Sequence, residues 1–219
     1  VESELDSERK KSDRLLLNIL PEPIADRLKA GERLIADRFD RATVLFADIV
    51  NFTPMSGSMP ADEVVSILSR IFSAFDMLCE KNGMEKIKTI GDSYMAAAGL
   101  PEPDENHMQS AARMALDMQQ MILEMARREG MDLSIRIVIH SGPVVAGVIG
   151  QNKFIYDLWG DTVNLASRME SHGIPGQILV SQHIYETLHS TFTFETRGLI
   201  EVKGKGPMQT YFLTGSTRD

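Results

Sequence analysis

Ala42-Thr43-Val44-Leu45-Phe46-Ala47-Asp48-Ile49-Val50-Asn51-Phe52-Thr53 is the stretch whose reading decides the architecture. From Ala42 to Val50 it is almost wholly β-branched or apolar, the texture of a strand buried in a sheet with helices over it. Asp48 interrupts that run at its far end. Ligands in open α/β sheets bind outside the carboxyl ends of the strands, so this carboxylate is a candidate site residue from the outset. Asn51 to Pro60 follows with Pro54, Gly57 and Pro60 among its residues, and reads as a loop.

Working outward toward the C-terminus, Val64, Leu68, Ile71, Phe72 and Phe75 recur at helical spacing and predict an amphipathic helix ending near Asn82-Gly83. Glu85 to Ala98 places Gly91-Asp92 between two β-leaning segments and predicts a hairpin. A long helix is expected from Asn106 to Arg128, with Met108, Ala111, Ala115, Met118, Ile122 and Met125 along one side. That stripe reads as core packing rather than as an adaptable binding face. Ile135, Ile137 and Ile139 alternate with Arg136, Val138 and His140 as a half-buried strand. Ser141-Gly142-Pro143 is expected to turn the chain into a second strand, Val144 to Ile149. A helix over Asp161 to Ser171, a short strand at Ile178 to Val180, Ser181 as the N-cap of another helix, and strands between Phe192 and Leu213 complete the reading.

Toward the N-terminus the texture changes. Glu2 to Asp13 is charged or polar with only Leu5 apolar; then Leu16, Ile19 and Leu20 form a helical edge that Pro21 stops. A second short helix, Ile24 to Lys29, is expected to end near Gly31. Two units follow: a helical connector over residues 1–40 and a folded domain over 41–219.

Composition narrows the function. The 219 residues suffice for one domain and a short appendage, and the formal net charge of -8 argues against a generic nucleic-acid binder. Cys79, the only cysteine, cannot form an internal disulfide, which fits a reducing compartment. No apolar run approaches bilayer length and nothing reads as a signal peptide. The chain begins at Val1, so it is expected to be a piece of something longer, either cytoplasmic or the cytoplasmic portion of a membrane-anchored protein.

Four segments carry chemistry. Asp48 at a strand end and Asp92 at a hairpin tip are carboxylates able to share Mg²⁺ with substrate phosphates, since Mg²⁺ takes one or two protein carboxylates and fills its octahedron with phosphate and water. Separately, each is more often a cap or turn residue. In Gly160-Asp161-Thr162-Val163-Asn164-Leu165-Ala166-Ser167-Arg168-Met169-Glu170-Ser171, Asn164 and Arg168 stand four apart, on one helix face, suited to a sugar oxygen and a phosphate. Glu201-Val202-Lys203-Gly204-Lys205-Gly206 sets two lysines beside thin backbone. Each of the last two segments alone also reads as an ordinary surface.

Together, and in this order, the strings around Asp48, Lys88-Thr89-Ile90-Gly91-Asp92 and Gly160 to Ser171 resemble the catalytic domain of class III nucleotidyl cyclases over about residues 41 to 213. The resemblance implies an α+β fold: a ferredoxin-like βαββαβ core with added C-terminal strands and helix, preceded here by the helical segment. It implies two Mg²⁺ or Mn²⁺ per site, held by Asp48, Asp92 and the backbone carbonyl of Ile49. It implies triphosphate contacts from the backbone of Asn51, Phe52 and Thr53 and from Lys203, with Lys205 a neighbour. Asn164 would orient the ribose and Arg168 stabilise the transition state, in sites shared across a head-to-tail homodimer. Lys88 and Asp157 match the base-reading pair of adenylate cyclases; guanylate cyclases typically place Glu and Cys there. The implied activity is conversion of ATP to 3′,5′-cyclic AMP, with a sensor or membrane region upstream and no role for nucleic acid. His140 is not assigned as a base. Pro143 departs from relatives that carry a basic residue aimed at phosphate. A guanylate cyclase, a nucleotide-binding module without turnover and a polymerase-like enzyme remain as alternatives.

Overall fold

The computed structural model describes residues 2–150 and 153–217, with side chains from residue 7 onward except residue 9, so Leu5 lies outside the described side chains. The elements in chain order are α1 (Glu2–Leu17), α2 (Glu22–Lys29), β1 (Ala36–Val50), α3 (Phe52–Ser56), α4 (Ala61–Lys81), β2 (Glu85–Ile90), β3 (Ser93–Ala98) and α5 (His107–Glu129). They continue with β4 (Ser134–Ile149), β5 (Ile155–Trp159), α6 (Asp161–Glu170), β6 (Ile178–Ser181), α7 (Gln182–Leu188), β7 (Phe192–Val202) and β8 (Gly206–Ser216). The strands form one sheet in the order β2-β3-β1-β4-β6-β8-β7, with β5 pairing β4 off that path. The first four strands, antiparallel and with β1 between β3 and β4, are the expected βαββαβ core. β6 adds parallel to β4 after the α6 crossover, and the β7–β8 hairpin closes the edge.

Helices cover both faces. On one, Leu45, Ala47 and Ile49 of β1 pack with Ile71 and Phe75 of α4 and with Met108, Ala111, Met114, Ala115, Met118, Ile122 and Met125 of α5. The methionine stripe is therefore core. On the other face, Val44 and Phe46 meet Ala166 of α6, Tyr156 and Leu158 of β5, and Leu20, Ile24 and Ala25 at the end of the connector. Burying a side chain such as Ile24 contributes about 1.5–3 kcal/mol, so α2 is anchored to the domain. Arg27 reinforces it, pairing with Glu32 at 2.7 Å and with Asp37 of β1. α1 is different: Leu15 and Leu17, and Ile19 beyond it, are 60%, 43% and 62% exposed.

The structure departs from the sequence reading in four places. β1 begins at Ala36, so the expected division after residue 40 falls inside a strand. Asn51 to Pro60 is not all loop: Phe52 is buried and seeds the single turn α3, where Pro54 sits in the first turn and its missing N–H costs nothing. Ser141-Gly142-Pro143 does not turn; β4 runs straight through as one strand, because β1 is long enough to pair on both sides of it. The register shifts between Phe39 and Ala42, opposite Pro143, where no ladder N–H is available. Ser181 occupies the position before α7 but makes no side-chain cap; its hydroxyl pairs with His140 Nδ1 at 2.9 Å instead. Among the described residues, no helix is long and apolar enough to cross a membrane.

Candidate active site

β1 and the β2–β3 turn bring the two expected metal carboxylates to one place. Gly91, at φ +60, makes a turn that leaves Asp92 beside Ser93, and Ser93 is the register partner of Asp48. The Ile49 amide donates to the Asp92 carbonyl at 3.2 Å, which pins the backbone of the expected carbonyl ligand next to that residue. Thr53 Oγ1 donates to Asp92 Oδ2 at 3.4 Å. Asn51, at φ 65, turns the chain into α3 and reaches Asp132 at 3.4 Å. Phe52 points into the core, so only its backbone is available to a ligand.

Two residues that sequence reasoning passed over, Arg136 and Glu170, complete this corner. Arg136 of β4, directly opposite Asp48, donates from Nη2 to Asp48 Oδ2. Glu170, at the end of α6, accepts from Ser93 Oγ at 3.2 Å. Burial first, then the charge of Asp48, raise the Glu170 carboxyl above its ordinary pKa. The signal for Arg136 was present in the strand alternation, which puts it on the face opposite Ile135 and Ile137. That for Glu170 was its place in the string containing Arg168, on the other side of the helix.

The expected base-reading residues meet within one chain. Lys88 Nζ lies 2.6 Å from Asp157 Oδ2, and Asp157 Oδ1 accepts the Leu158 amide at 2.8 Å. Asp157 sits on β5, a strand the sequence reading did not identify, with Tyr156 and Leu158 buried on either side of it.

α6 displays the remaining set. It approaches β4 so closely that a Cβ on Gly142 would lie 2.5 Å from Thr162 Oγ1, so a side chain there would have to displace Thr162. Asn164 and Arg168 are exposed one turn apart. Arg168 Nη1 donates to the Lys203 carbonyl at 2.7 Å, which ties the guanidinium to the β7–β8 turn. Lys205 faces Asp161 at 3.4 Å. At about 100° per residue, Arg168 and Glu170 point to nearly opposite sides of α6. No hydrogen bond or ion pair among the described residues joins the Asp48–Asp92 corner to Asn164, Arg168 or Lys203. His140 is half-buried, and the desolvation pushes its pKa down to about 4; its Nδ1 is engaged by Ser181.

As a metal site the corner offers hard oxygen donors from two carboxylates. Among the described residues there is no group of three His, Cys, Asp or Glu side chains able to hold an ion by themselves. The donor set fits Mg²⁺ or Mn²⁺ arriving with a phosphate-bearing substrate that completes the shell.

Residues 34–215 match the family described as adenylate and guanylate cyclase catalytic domain. An adenylate cyclase of Mycobacterium tuberculosis is 47% identical over 215 residues, covering 98% of this chain and 48% of that protein. Guanylate cyclase soluble subunit beta-2 of Rattus norvegicus is 43% identical over 208 residues, 94% of this chain and 30% of that protein. The chain thus spans about half or less of the length of these relatives. Among solved structures, the guanylate cyclase domain of RhGC from Catenaria anguillulae, in complex with GTP, superposes with a TM-score of 0.78 at 38% identity, covering 82% of this chain and 99% of that one.

Proposed function

Because the chain belongs to the adenylate and guanylate cyclase catalytic domain family, we propose that it converts ATP to 3′,5′-cyclic AMP and pyrophosphate at sites shared by two head-to-tail copies. The observation that carries the choice of ATP is the Lys88–Asp157 pair. A lysine can donate to adenine N1, and a carboxylate can accept from the exocyclic amine. Guanine presents a ring N–H and a carbonyl oxygen instead, and each buried mismatch costs about 1–3 kcal/mol. The guanylate cyclase relative at 43% identity keeps a GTP reading in play; it predicts that the same two residues tolerate guanine.

Asp48 and Asp92 would hold the divalent cations, with the Ile49 carbonyl beside them. Two such ions, when bound, lower the pKa of the ribose 3′-hydroxyl and neutralise the triphosphate during in-line displacement. Asn164 fixes the ribose so that its 3′-oxygen faces the α-phosphorus, and Arg168 offsets the charge that develops there. The 3′-O–Pα bond forms as the bond from Pα to the pyrophosphate oxygen breaks, and the hydroxyl proton passes to solvent. Lys203 and the amides of Asn51, Phe52 and Thr53 hold the polyphosphate. No protein base is assigned, and the Ser181-bound His140 is not one.

Two features favour a shared site. The Asn164–Arg168 face of α6 turns away from its own chain's carboxylates, so a second copy is needed to present both sets to one ATP. The β4–β5 ribbon also exposes Val145, Ile149, Ile155 and Trp159 on the face that carries Asp157. That strip is suited to burial against a partner. Any sensor or membrane region lies outside the described chain. Incubation with Mn²⁺ and either ATP or GTP, followed by identification of the nucleotide product, tests the reading. Faster turnover of GTP than of ATP would overturn the substrate assignment, and no pyrophosphate from either would favour a silent binding module.

A further inference from the structure

Across the sheet at the candidate metal corner, Ser93, Asp48 and Arg136 stand in one row on three adjacent strands, their side chains on the face that α6 covers. Arg136 bonds Asp48 through a single nitrogen, Nη2. Its Nε is buried with no hydrogen-bond partner. A guanidinium has five donors in a rigid fork, and leaving a buried donor unused is costly. The turn after α6 closes over the side chain: a Cβ at Gly173 would lie 3.5 Å from Arg136 Cβ and Cδ. Glu170 faces the same row, held to Ser93 at 3.2 Å, and interacts electrostatically with both Asp48 and Arg136. One cation thus lies within electrostatic reach of two carboxylates on different elements and is bonded to only one of them.

We propose that Arg136 is a positioning residue that holds Asp48 while the metal is absent and transfers to Glu170 when a divalent cation takes the Asp48 carboxylate. The inference rests on reading Asp48 as a metal ligand. Its physical content is competition. A cation must displace the guanidinium from Asp48 Oδ2, and the displaced donor is then left unpaired unless Glu170 accepts it. Glu170 therefore sets how readily Asp48 is released to the metal, although it binds no metal itself. Groups that orient a metal-binding carboxylate commonly change metal affinity by about tenfold or more.

The test is a double-mutant cycle read as Mn²⁺ affinity, by loss of the free-ion paramagnetic resonance signal. The protein is the dimer saturated with 3′-deoxy-ATP, which lacks the attacking hydroxyl. Arg136→Gln should tighten Mn²⁺ binding about tenfold by removing the competitor. Glu170→Gln should weaken it by a similar factor in the wild-type background and have no effect once Arg136→Gln is present. Arg136→Lys keeps the charge and should stay within about twofold of wild type, which serves if Arg136→Gln fails to fold. An unchanged affinity in Arg136→Gln would overturn the proposal. So would an equal Glu170→Gln effect in both backgrounds, which is what simple removal of a nearby negative charge gives. Asp48→Asn separates this outcome from failure of the metal reading itself, since it must lose Mn²⁺ binding if Asp48 is a ligand.

Discussion

Lys88 on β2 and Asp157 on β5 form an ion pair at 2.6 Å, with their side chains only 35% and 13% exposed. β5 is hydrogen-bonded in the sheet to β4, so this bridge fastens the β4–β5 ribbon back onto the β2–β3 hairpin that carries Asp92. The pair is both a mechanical link and, on the proposed reading, the reader of the base.

Exchanging the pair should exchange the substrate. Lys88→Glu with Asp157→Cys replaces both recognition elements, and two mismatches at about 1–3 kcal/mol each should lower kcat/KM for ATP by about 30-fold to 20,000-fold. GTP should gain over ATP in the same enzyme. Competition between the two nucleotides at equal concentration is the readout.

Asp48 and Asp92 should differ in their structural cost. Asp48→Ala strips Arg136 of its acceptor and should lower stability by about 1–3 kcal/mol. Asp92→Ala loses only a long Thr53 bond and should cost less than about 1 kcal/mol. Both should abolish turnover. Urea denaturation of the two variants, beside product formation at limiting Mn²⁺, checks the pair of expectations.

Glu85 should make stability fall as pH rises through neutrality. Burial alone pushes its carboxyl up to about 7. A group whose folded pKa lies above its unfolded value binds more protons when folded, so its contribution is fully present below about pH 4.5 and lost as pH rises through about 7. Glu85→Gln should remove that part of the pH dependence, on the order of 2 kcal/mol after allowing for solvent screening. Denaturation midpoints between pH 5 and 8 measure it.

The connector should divide into an anchored and a separable part. Removing residues 1–17 leaves Leu20, Ile24 and Ala25 in the core and takes away only the partly buried Leu16, so the thermal midpoint should fall slightly while dimer dissociation becomes easier. Removing residues 1–31 takes those buried side chains away and should lower stability by several kcal/mol, at about 1.5–3 kcal/mol for each large one. Sedimentation equilibrium and thermal melts distinguish the two.

How much of this was legible follows from what each segment does. Continuous apolar runs and 3.6-residue periodicity revealed β1, α4 and α5, because burial on one or both faces leaves a direct trace. β5 was missed because five residues give too short an alternation to stand out as a strand. The expected turn at Gly142-Pro143 failed because a local breaker signal was overridden by the long pairing with β1 and by the need for thin backbone under Thr162. Asp48, Asp92, Asn164 and Arg168 were singled out by the resemblance of their segments to the cyclase family, since composition and periodicity alone leave each an ordinary turn or surface residue. Arg136 and Glu170 were not, because their meeting depends on the β1–β4 register and on the rotation of α6, neither of which any single segment encodes.

On the proposed reading, one chain supplies the carboxylates and its partner supplies Asn164 and Arg168. Mixing two inactive variants tests it most directly. Asp48→Ala and Arg168→Ala, each purified alone and then allowed to exchange subunits in equal amounts, should form mixed dimers with one intact site. Half the dimers are mixed and each has one working site of two, so activity should return to about a quarter of wild type. Activity no greater than the sum of the two separate variants, with subunit exchange shown to be complete, would contradict the shared site.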